Sequence, residues 1–394
     1  MENFNYRNPT RILFGRDMED AVGKEAAKHG KKVLIHYGSE RVRSSGLLPK
    51  VRASLEAAGL SVVELGGVQP NPRLSLVEKG ISLAKSESVD LILALGGGSV
   101  IDSAKAIAVG VPASCPVWDF YEYKESPKTA LPVATILTIP AAGSESSNAS
   151  VISNEDGDLK RGLSNDVLYP VFSILNPAFC FTLPPWQVGA GASDIMAHLQ
   201  ERYFTNAKPV DLTDGLLEAA MRSIANAAPR VLAKPDDYDA WAEFMLTGQM
   251  GHNNSLDVGR IGDWASHGIE HELSGIYDVT HGAGLAVVFP AWMEYVYQHD
   301  VMRFFRWAVE VWRVQPDYFH PERTALAGIA AYRAFSRSIG MPTSLEELDI
   351  GEDRLDEMAA KATGNGSSTV GNFVKLGKAD VLAIYKLALK RKDA

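Results

Sequence analysis

Along roughly the first 185 residues, hydrophobic and polar positions switch repeatedly between a strand-like and a helix-like period. Apolar, β-branched runs at 11–15 (RILFG), 31–38 (KKVLIHYG), 60–67 (LSVVELGG), 89–98 (VDLILALGGG) and 131–140 (LPVATILTIP) predict strands. Between them, 18–30 (MEDAVGKEAAKHG) and 46–59 (GLLPKVRASLEAAG) repeat apolar residues at helical spacing and close on glycine, as helix C-termini do. Strands alternating with helices of this length predict a mostly parallel sheet with helices on both faces. The stretch 150–164 (SVISNEDGDLKRGLS) predicts a hairpin turning at Asp156 and Gly157. A proline-rich segment, 176–187, ends this region, and beyond it the strand signal disappears. Helical periodicity then predicts helices over 187–206, 211–232, 236–255, 261–275, 282–298, 322–338 and 378–391. There is no internal repeat and no low-complexity tract. The expected architecture is an α/β dinucleotide-binding domain over 1–185 and an all-α domain over 186–394, with the cleft between them as the default site.

Composition narrows the function classes. The chain has 394 residues, enough for two domains, with 46% hydrophobic and 22% charged residues, as in ordinary globular proteins. A net charge of −9 argues against a nucleic-acid partner or an anionic membrane surface. No apolar run is long enough for a membrane span, and the N-terminus (MENFNYRNPTRILFG) lacks the layout of a secretory signal. Cys115 and Cys180 are the only cysteines, too few for a disulfide framework or a thiolate metal site. A cytoplasmic protein is expected.

Two stretches carry candidate chemistry. Residues 91–110 (LILALGGGSVIDSAKAIAVG) read as strand, glycines, serine, helix. That order exposes backbone N–H groups at a helix N-terminus, where the dipole favours an anion and glycines let a pyrophosphate approach. The third glycine of G-x-G-x-x-G is missing, so the loop departs from the dinucleotide fingerprint, and no Gly-Lys-Ser/Thr makes it a P-loop. A plain strand-to-helix turn is the alternative. Asp102 is read as lying in the first helical turn, structural or functional.

The second stretch gathers imidazoles. His267 and His271 stand four apart, His281 follows ten residues later, and Asp194 and His198 repeat the four-residue spacing on another predicted helix. That spacing puts both members of a pair on one helical face. A carboxylate with several imidazoles is an N/O donor set suited to Fe(II), Zn(II), Mn(II) or Ni(II). Spacing alone leaves His271 as eligible a ligand as His281. A rival reading takes His267, Glu270 and His271 (HGIEH) as an H-x-x-E-H zinc metallopeptidase motif with Glu270 as the base, which leaves the glycine loop and the Asp194–His198 pair unused.

With these residues in view, the chain resembles the iron-dependent (group III) alcohol dehydrogenases over nearly its whole length, most closely the NADPH-dependent butanol dehydrogenase and broad-range aldehyde reductase branch. The resemblance rests on 8–15 (NPTRILFG), 70–72 (PNP), 96–108 (GGGSVIDSAKAIA), 137–147 (LTIPAAGSESS), 181–185 (FTLPP), 234–243 (KPDDYDAWAE) and 263–296. It implies a dehydroquinate synthase-like fold, an NADP(H) cofactor with NAD(H) as the alternative, and one divalent metal, Fe(II) or else Zn(II). It implies Asp194, His198, His267 and His281 as metal ligands, with His271 lining the substrate site as a proton-relaying catalytic group. It places the pyrophosphate on Gly97, Gly98 and Ser99, with Gly38, Ser39, Asn71, Asp102, Thr138 and Lys160 along the cofactor path. The implied reaction is hydride transfer between NAD(P)H and a primary alcohol/aldehyde pair, in a homodimer assembled through the N-terminal strand.

Two departures modify that expectation. The stretch 37–45 (YGSERVRSS) replaces the glycine-rich loop of the NADPH branch, and Ser39 stands where NAD-specific members carry aspartate. Serine there favours a 2′-phosphate, which Arg41 and Arg43 could pair with and Glu40 would oppose. Ala142 stands where relatives carry threonine, removing one cofactor hydrogen bond. A non-catalytic remnant of the fold is disfavoured by the intact ligand set, since unused buried polar clusters cost stability. Sugar-phosphate lyase chemistry is disfavoured because 261–285 lacks extra lysines and arginines, Arg260 alone lying just before it.

Overall fold

A computed structural model describes residues 1–390, so the last position of the helix expected over 378–391 lies outside the described residues. Eight strands form: β1 Arg11–Phe14, β2 Lys32–Tyr37, β3 Ser61–Leu65, β4 Leu91–Gly97, β5 Val133–Ile139, β6 Ala149–Asn154, β7 Leu159–Ser164 and β8 Phe172–Leu175. The helices of the same region are α1 Val22–Ala26, α2 Arg41–Ser44, α3 Leu47–Ala57, α4 Leu74–Ser86, α5 Gly98–Gly110 and α6 Trp118–Tyr121. Those that follow are α7 Pro185–Tyr203, α8 Asp211–Ala233, α9 Tyr238–His252, α10 Ala265–Tyr277, α11 His281–Val296, α12 Val301–Trp312, α13 Pro321–Ser338, α14 Leu355–Ala362 and α15 Lys378–Leu389. The five expected strands and the hairpin form. The expectation missed β8, a four-residue strand in front of the proline-rich segment, the longer helices α4, α12 and α14, and the short helices α2 and α6.

The chain divides into two compact units. One comprises Arg7–Thr182 with Gly248–Asn253; the other comprises Met1–Tyr6, Leu183–Thr247 and Asn254–Ala394. In the first, six parallel strands lie in the order β1-β8-β5-β4-β2-β3, and β6 and β7 pair antiparallel beside them. Strands β2, β4 and β5 are near-continuous apolar runs because a parallel sheet is covered on both faces. Val33, Ile35, Leu93 and Ile136 pack beneath Val51 and Leu55 of α3, all fully or almost fully buried. The chain moves outward from β2 to β3, then crosses back to β4 and continues to β5, so the strand order reverses between β2 and β4. That reversal opens a crevice at the carboxyl ends of the strands, where nucleotides bind in such sheets.

The second unit is helical, and its centre is unusually polar for its burial. Every residue of α7 from Val188 to Tyr203 is buried, including Asp194, His198, Gln200, Glu201 and Arg202. A helix buried all round is ordinarily apolar, so these side chains must be satisfied by one another or by a ligand. Helix α11 is buried almost throughout and apolar apart from its ends. An aromatic cluster anchors the unit: Phe204 stacks on Phe304 at 4.5 Å and meets Trp292 edge-on at 5.3 Å. Arg260 and Arg303 converge on the carboxylate of Asp214, a fully enclosed ion network rather than a site. Among the described residues no helix is long and apolar enough to cross a membrane.

Candidate metal centre and nucleotide loop

In the helical unit, α7 carries Asp194 and His198, α10 carries His267 and His271, and α11 opens on His281. Asp194 Oδ1 lies 3.8 Å from His198 Nε2, 4.0 Å from His267 Nε2 and 3.9 Å from His281 Nε2. These separations are too long for hydrogen bonds. They suit donors around one ion, since metal–ligand bonds of about 2.0–2.2 Å keep two donors within roughly 4.4 Å of each other. Single donor atoms of Asp194, His267 and His281 all lie within 4.8 Å of one another. His198 stacks on His267 with ring centroids 4.7 Å apart, and Trp264 lies against both rings. His267 is buried, yet its Nε2 has no hydrogen-bond partner. A buried, unpaired nitrogen is costly unless something binds it. The donor set therefore fits a borderline divalent ion.

His271, one turn after His267, is half-buried with its ring 5.7 Å from that of His281, and a ring nitrogen of it groups with single donor atoms of Glu270 and His281 within 4.8 Å of one another. Glu270, the base of the H-x-x-E-H reading, is fully buried. Its carboxylate accepts hydrogen bonds from His281 Nδ1 and Ser274 Oγ. It holds the neighbouring imidazole of His281, an arrangement that gives the metallopeptidase reading no support. Glu201 is equally buried and was missed in the sequence. It accepts from His267 Nδ1 at 2.8 Å, from the His267 backbone N–H at 3.0 Å and from the Trp264 N–H at 2.6 Å. Its spacing gave a signal, because 194, 198 and 201 share one face of α7. Asp263 accepts from the N–H groups of Asn372 and Phe373, both at 2.7 Å, tying that loop to the start of α10. Burial, aided by the nearby Glu201, pushes its carboxyl up from the ordinary range.

In the α/β unit the glycine loop sits where β4 meets α5, beside the crevice. A Cβ on Gly97 would stand 2.9 Å from Ile139 Cβ, and one on Gly98 3.1 Å from Ala142 Cβ. These glycines let the β4–α5 and β5 turns approach closely. Gly38 follows β2, and Thr138 lies near the end of β5, so both flank Gly97 on neighbouring strands. Ser99 lies in the first turn of α5. Asp102 is the fifth residue of α5 and so lies just beyond the first turn where it was expected. Its carboxylate is held by Ser144 Oγ at 2.6 Å and the Val151 N–H at 3.0 Å. Lys160 of β7 donates to Asn71 Oδ1 at 3.0 Å, bringing those two expected residues together from the hairpin and the loop after β3.

Beneath this surface lies a buried charge that sequence reading did not single out. Lys105 Nζ, fully enclosed, donates to the carbonyls of Ser144, Ser147 and Ala149 at 2.7, 2.9 and 2.8 Å. Burial lowers its amine to about 8, opposed by the charges of Asp102 and Glu145. Glu145, also enclosed, is pushed up to about 7 by burial. At the β2 end, Ser39 is exposed and Arg41 is turned to Thr182. Arg43 is held by Glu40 at 3.0 Å, Glu64 at 2.9 Å and the Tyr37 hydroxyl at 2.9 Å.

Residues 9–177 match the model of the iron-containing alcohol dehydrogenases, and residues 189–389 match that of the C-terminal region of the same family. The chain belongs to the iron-containing alcohol dehydrogenase family. It is 40% identical to the probable NADH-dependent butanol dehydrogenase 1 of Bacillus subtilis over 99% of this chain and 100% of that protein. It is 34% identical to the NADPH-dependent aldehyde reductase YqhD of Escherichia coli, over 94% of this chain and 95% of that one. The crystal structure of NADH-dependent butanol dehydrogenase A from Thermotoga maritima is similar with a TM-score of 0.95 and 38% identity, covering 99% of both chains.

Proposed function

We propose that the protein is an NAD(P)H-dependent oxidoreductase interconverting primary alcohols and aldehydes, with Asp194, His198, His267 and His281 holding a divalent metal, Fe(II) in preference to Zn(II). The observation that carries this is the convergence of three imidazole Nε2 atoms on Asp194 Oδ1. When bound, the ion supplies Lewis acidity to an alcohol or aldehyde oxygen, and the nicotinamide supplies or takes the hydride. The protein's own part is positional and electrostatic. The N–H groups of Gly98 and Ser99, in the first turn of α5, face the crevice end of the sheet and hold the pyrophosphate. Gly38, Ser39, Asn71, Asp102, Thr138 and Lys160 line the rest of the cofactor path. His271, close to the donor cluster, delivers a proton to the substrate oxygen when the aldehyde carbon takes the hydride, and takes that proton from the alcohol in the reverse direction.

For the cofactor we favour NADP(H), because Ser39, exposed after β2, puts no carboxylate at the position where NAD-specific members carry aspartate. A second reading, NAD(H), is favoured by the capture of Arg43 by Glu40 and Glu64. A cytoplasmic homodimer completes the reading: β1 is an edge strand, and Phe4 and Tyr6 just before it are exposed. The test is a metal-reconstituted screen of C3–C6 aldehydes with NADPH and NADH. Turnover that requires Fe(II) or Zn(II) is expected, and full-rate reduction by chelator-treated protein would refute the metal-dependent reading.

A further inference from the structure

The donor cluster is held together by a repeated device. Helix α7 contributes two donors, Asp194 and His198, and one turn further Glu201, whose carboxylate reaches across to Nδ1 of His267 on α10. Three residues after His267, α10 contributes Glu270, whose carboxylate reaches across to Nδ1 of His281 on α11. Each helix thus supplies the group that aims the imidazole of the next. In both cases the carboxylate occupies Nδ1 and leaves Nε2 facing Asp194 Oδ1, at 4.0 and 3.9 Å.

We infer that Glu201 and Glu270 are positioning residues that set the orientation, the tautomer and the basicity of His267 and His281, and that Gly284 is present to seat Glu270. The inference rests on the ligand assignment proposed above. A carboxylate accepting Nδ1–H forces the imidazole proton onto Nδ1 and leaves the Nε2 lone pair for a metal. It also fixes χ1 and χ2 before any ion arrives, so less order has to be imposed on binding. Neither carboxylate is a casual contact. Both are fully buried, where an ionised group persists only with several strong hydrogen bonds. Glu201 receives three, two of them from backbone N–H groups at the start of α10, so the same side chain caps that helix.

Gly284 provides an independent line. A Cβ there would lie 2.6 Å from Glu270 Oε1 and 2.8 Å from Glu270 Cγ. Glycine inside a helix costs about 1 kcal/mol relative to alanine, so its use in the middle of the first turns of α11 calls for a reason. The space it leaves is the space the Glu270 carboxylate fills. Gly284→Ala should therefore displace Glu270 without altering any donor atom or any carboxylate.

The test is titration of the metal-free full-length protein with Co(II) against a competing chelator, reading both affinity and the visible Co(II) spectrum. Thermal unfolding of each metal-free variant is recorded alongside. Glu201→Gln and Glu270→Gln keep the shape and remove the charge, and each should weaken Co(II) by about 10- to 100-fold. Gly284→Ala should weaken it in the same range and change the spectrum as Glu270→Gln does, while the metal-free protein still unfolds in one cooperative transition. Wild-type Co(II) affinity in both Glu270→Gln and Gly284→Ala would overturn the inference, even if Glu201→Gln failed to fold for loss of its cap. His267→Ala and His281→Ala separate the two levels of argument. If they lose Co(II) while the glutamate and glycine variants retain it, the ligand assignment stands and the positioning role falls. If the histidine variants retain Co(II) at wild-type affinity, the ligand assignment itself falls.

Discussion

Both units bury charge, but they treat it differently. In the α/β unit, Lys105 is sealed in and fully satisfied by three backbone carbonyls, and Asp102 is held by Ser144 and Val151. The result is a clamp that fixes the segment 144–151 onto α5. In the helical unit, His267 is buried with one nitrogen bonded to Glu201 and the other without a partner, facing a carboxylate oxygen 4.0 Å away. A satisfied buried network specifies a shape; an unsatisfied one, with its outer groups fixed, specifies a ligand. Burial around Lys105 thus reads as structure, and burial around the unpartnered Nε2 of His267 as room for a ligand.

The sharpest way to break the comparison is at the open cluster. His267→Ala removes one of four donors, so metal content and turnover should collapse together, by a thousandfold or more in kcat on the order-of-magnitude scale of lost Lewis-acid stabilisation. His271→Ala should keep its metal and lose about a hundred- to ten-thousandfold in kcat as a proton-transfer group. Metal stoichiometry beside kcat in the two purified proteins decides; a metal-free His271→Ala would reverse the roles. Next comes the closed cluster. Lys105→Met strips three carbonyls of their donor and leaves Asp102 and Glu145 uncompensated, and about 3–5 kcal/mol of stability should go. Urea unfolding, with NAD(P)H binding as a second reading, measures it; a midpoint unchanged from wild type would show that the clamp is ornamental.

The closed cluster also has a pH signature. Glu145 sits at about 7 when folded against 4.5 for an ordinary glutamate. Protons then bind the native state more tightly, so its contribution is complete below pH 4.5 and is lost as pH rises to about 7. Lys105, lowered to about 8 from 10.5, acts oppositely and makes stability rise between those values. Glu145→Gln should flatten the acid limb and stabilise the protein at pH 8 by about 3 kcal/mol at most. Denaturation midpoints from pH 4 to 9 would show it, and an unchanged acid limb would mean Glu145 is not the group responsible. The smallest expected effect is at the cofactor end. Ser39→Asp should cost several-fold to a hundredfold in NADPH kcat/KM, roughly 1–3 kcal/mol, with NADH affected much less. Equal losses for both cofactors would remove the support for NADP(H).

What the sequence determined by itself follows from short-range rules. The alternation of β-branched runs with helical periods is local, so β1 to β5, the hairpin and most long helices were legible, as were the glycine loop and the four-residue pairs Asp194–His198 and His267–His271. β8 was not, because FSIL is only four residues long and precedes a proline-rich segment. α12 was hidden behind the end of α11, although Asp300 caps it by accepting the Arg303 N–H. Spacing could not separate His271 from His281, since both lie within reach along the chain. What tertiary structure adds is the meeting of α10 and α11, which brings His281 Nε2 to 3.9 Å from Asp194 Oδ1 and the His281 ring to 5.7 Å from that of His271. The same holds for Glu201, Glu270 and Lys105. A buried glutamate or lysine has no local pattern of its own; its role is set by which helix or carbonyl the fold brings within 3 Å, and that is a property of packing between distant segments.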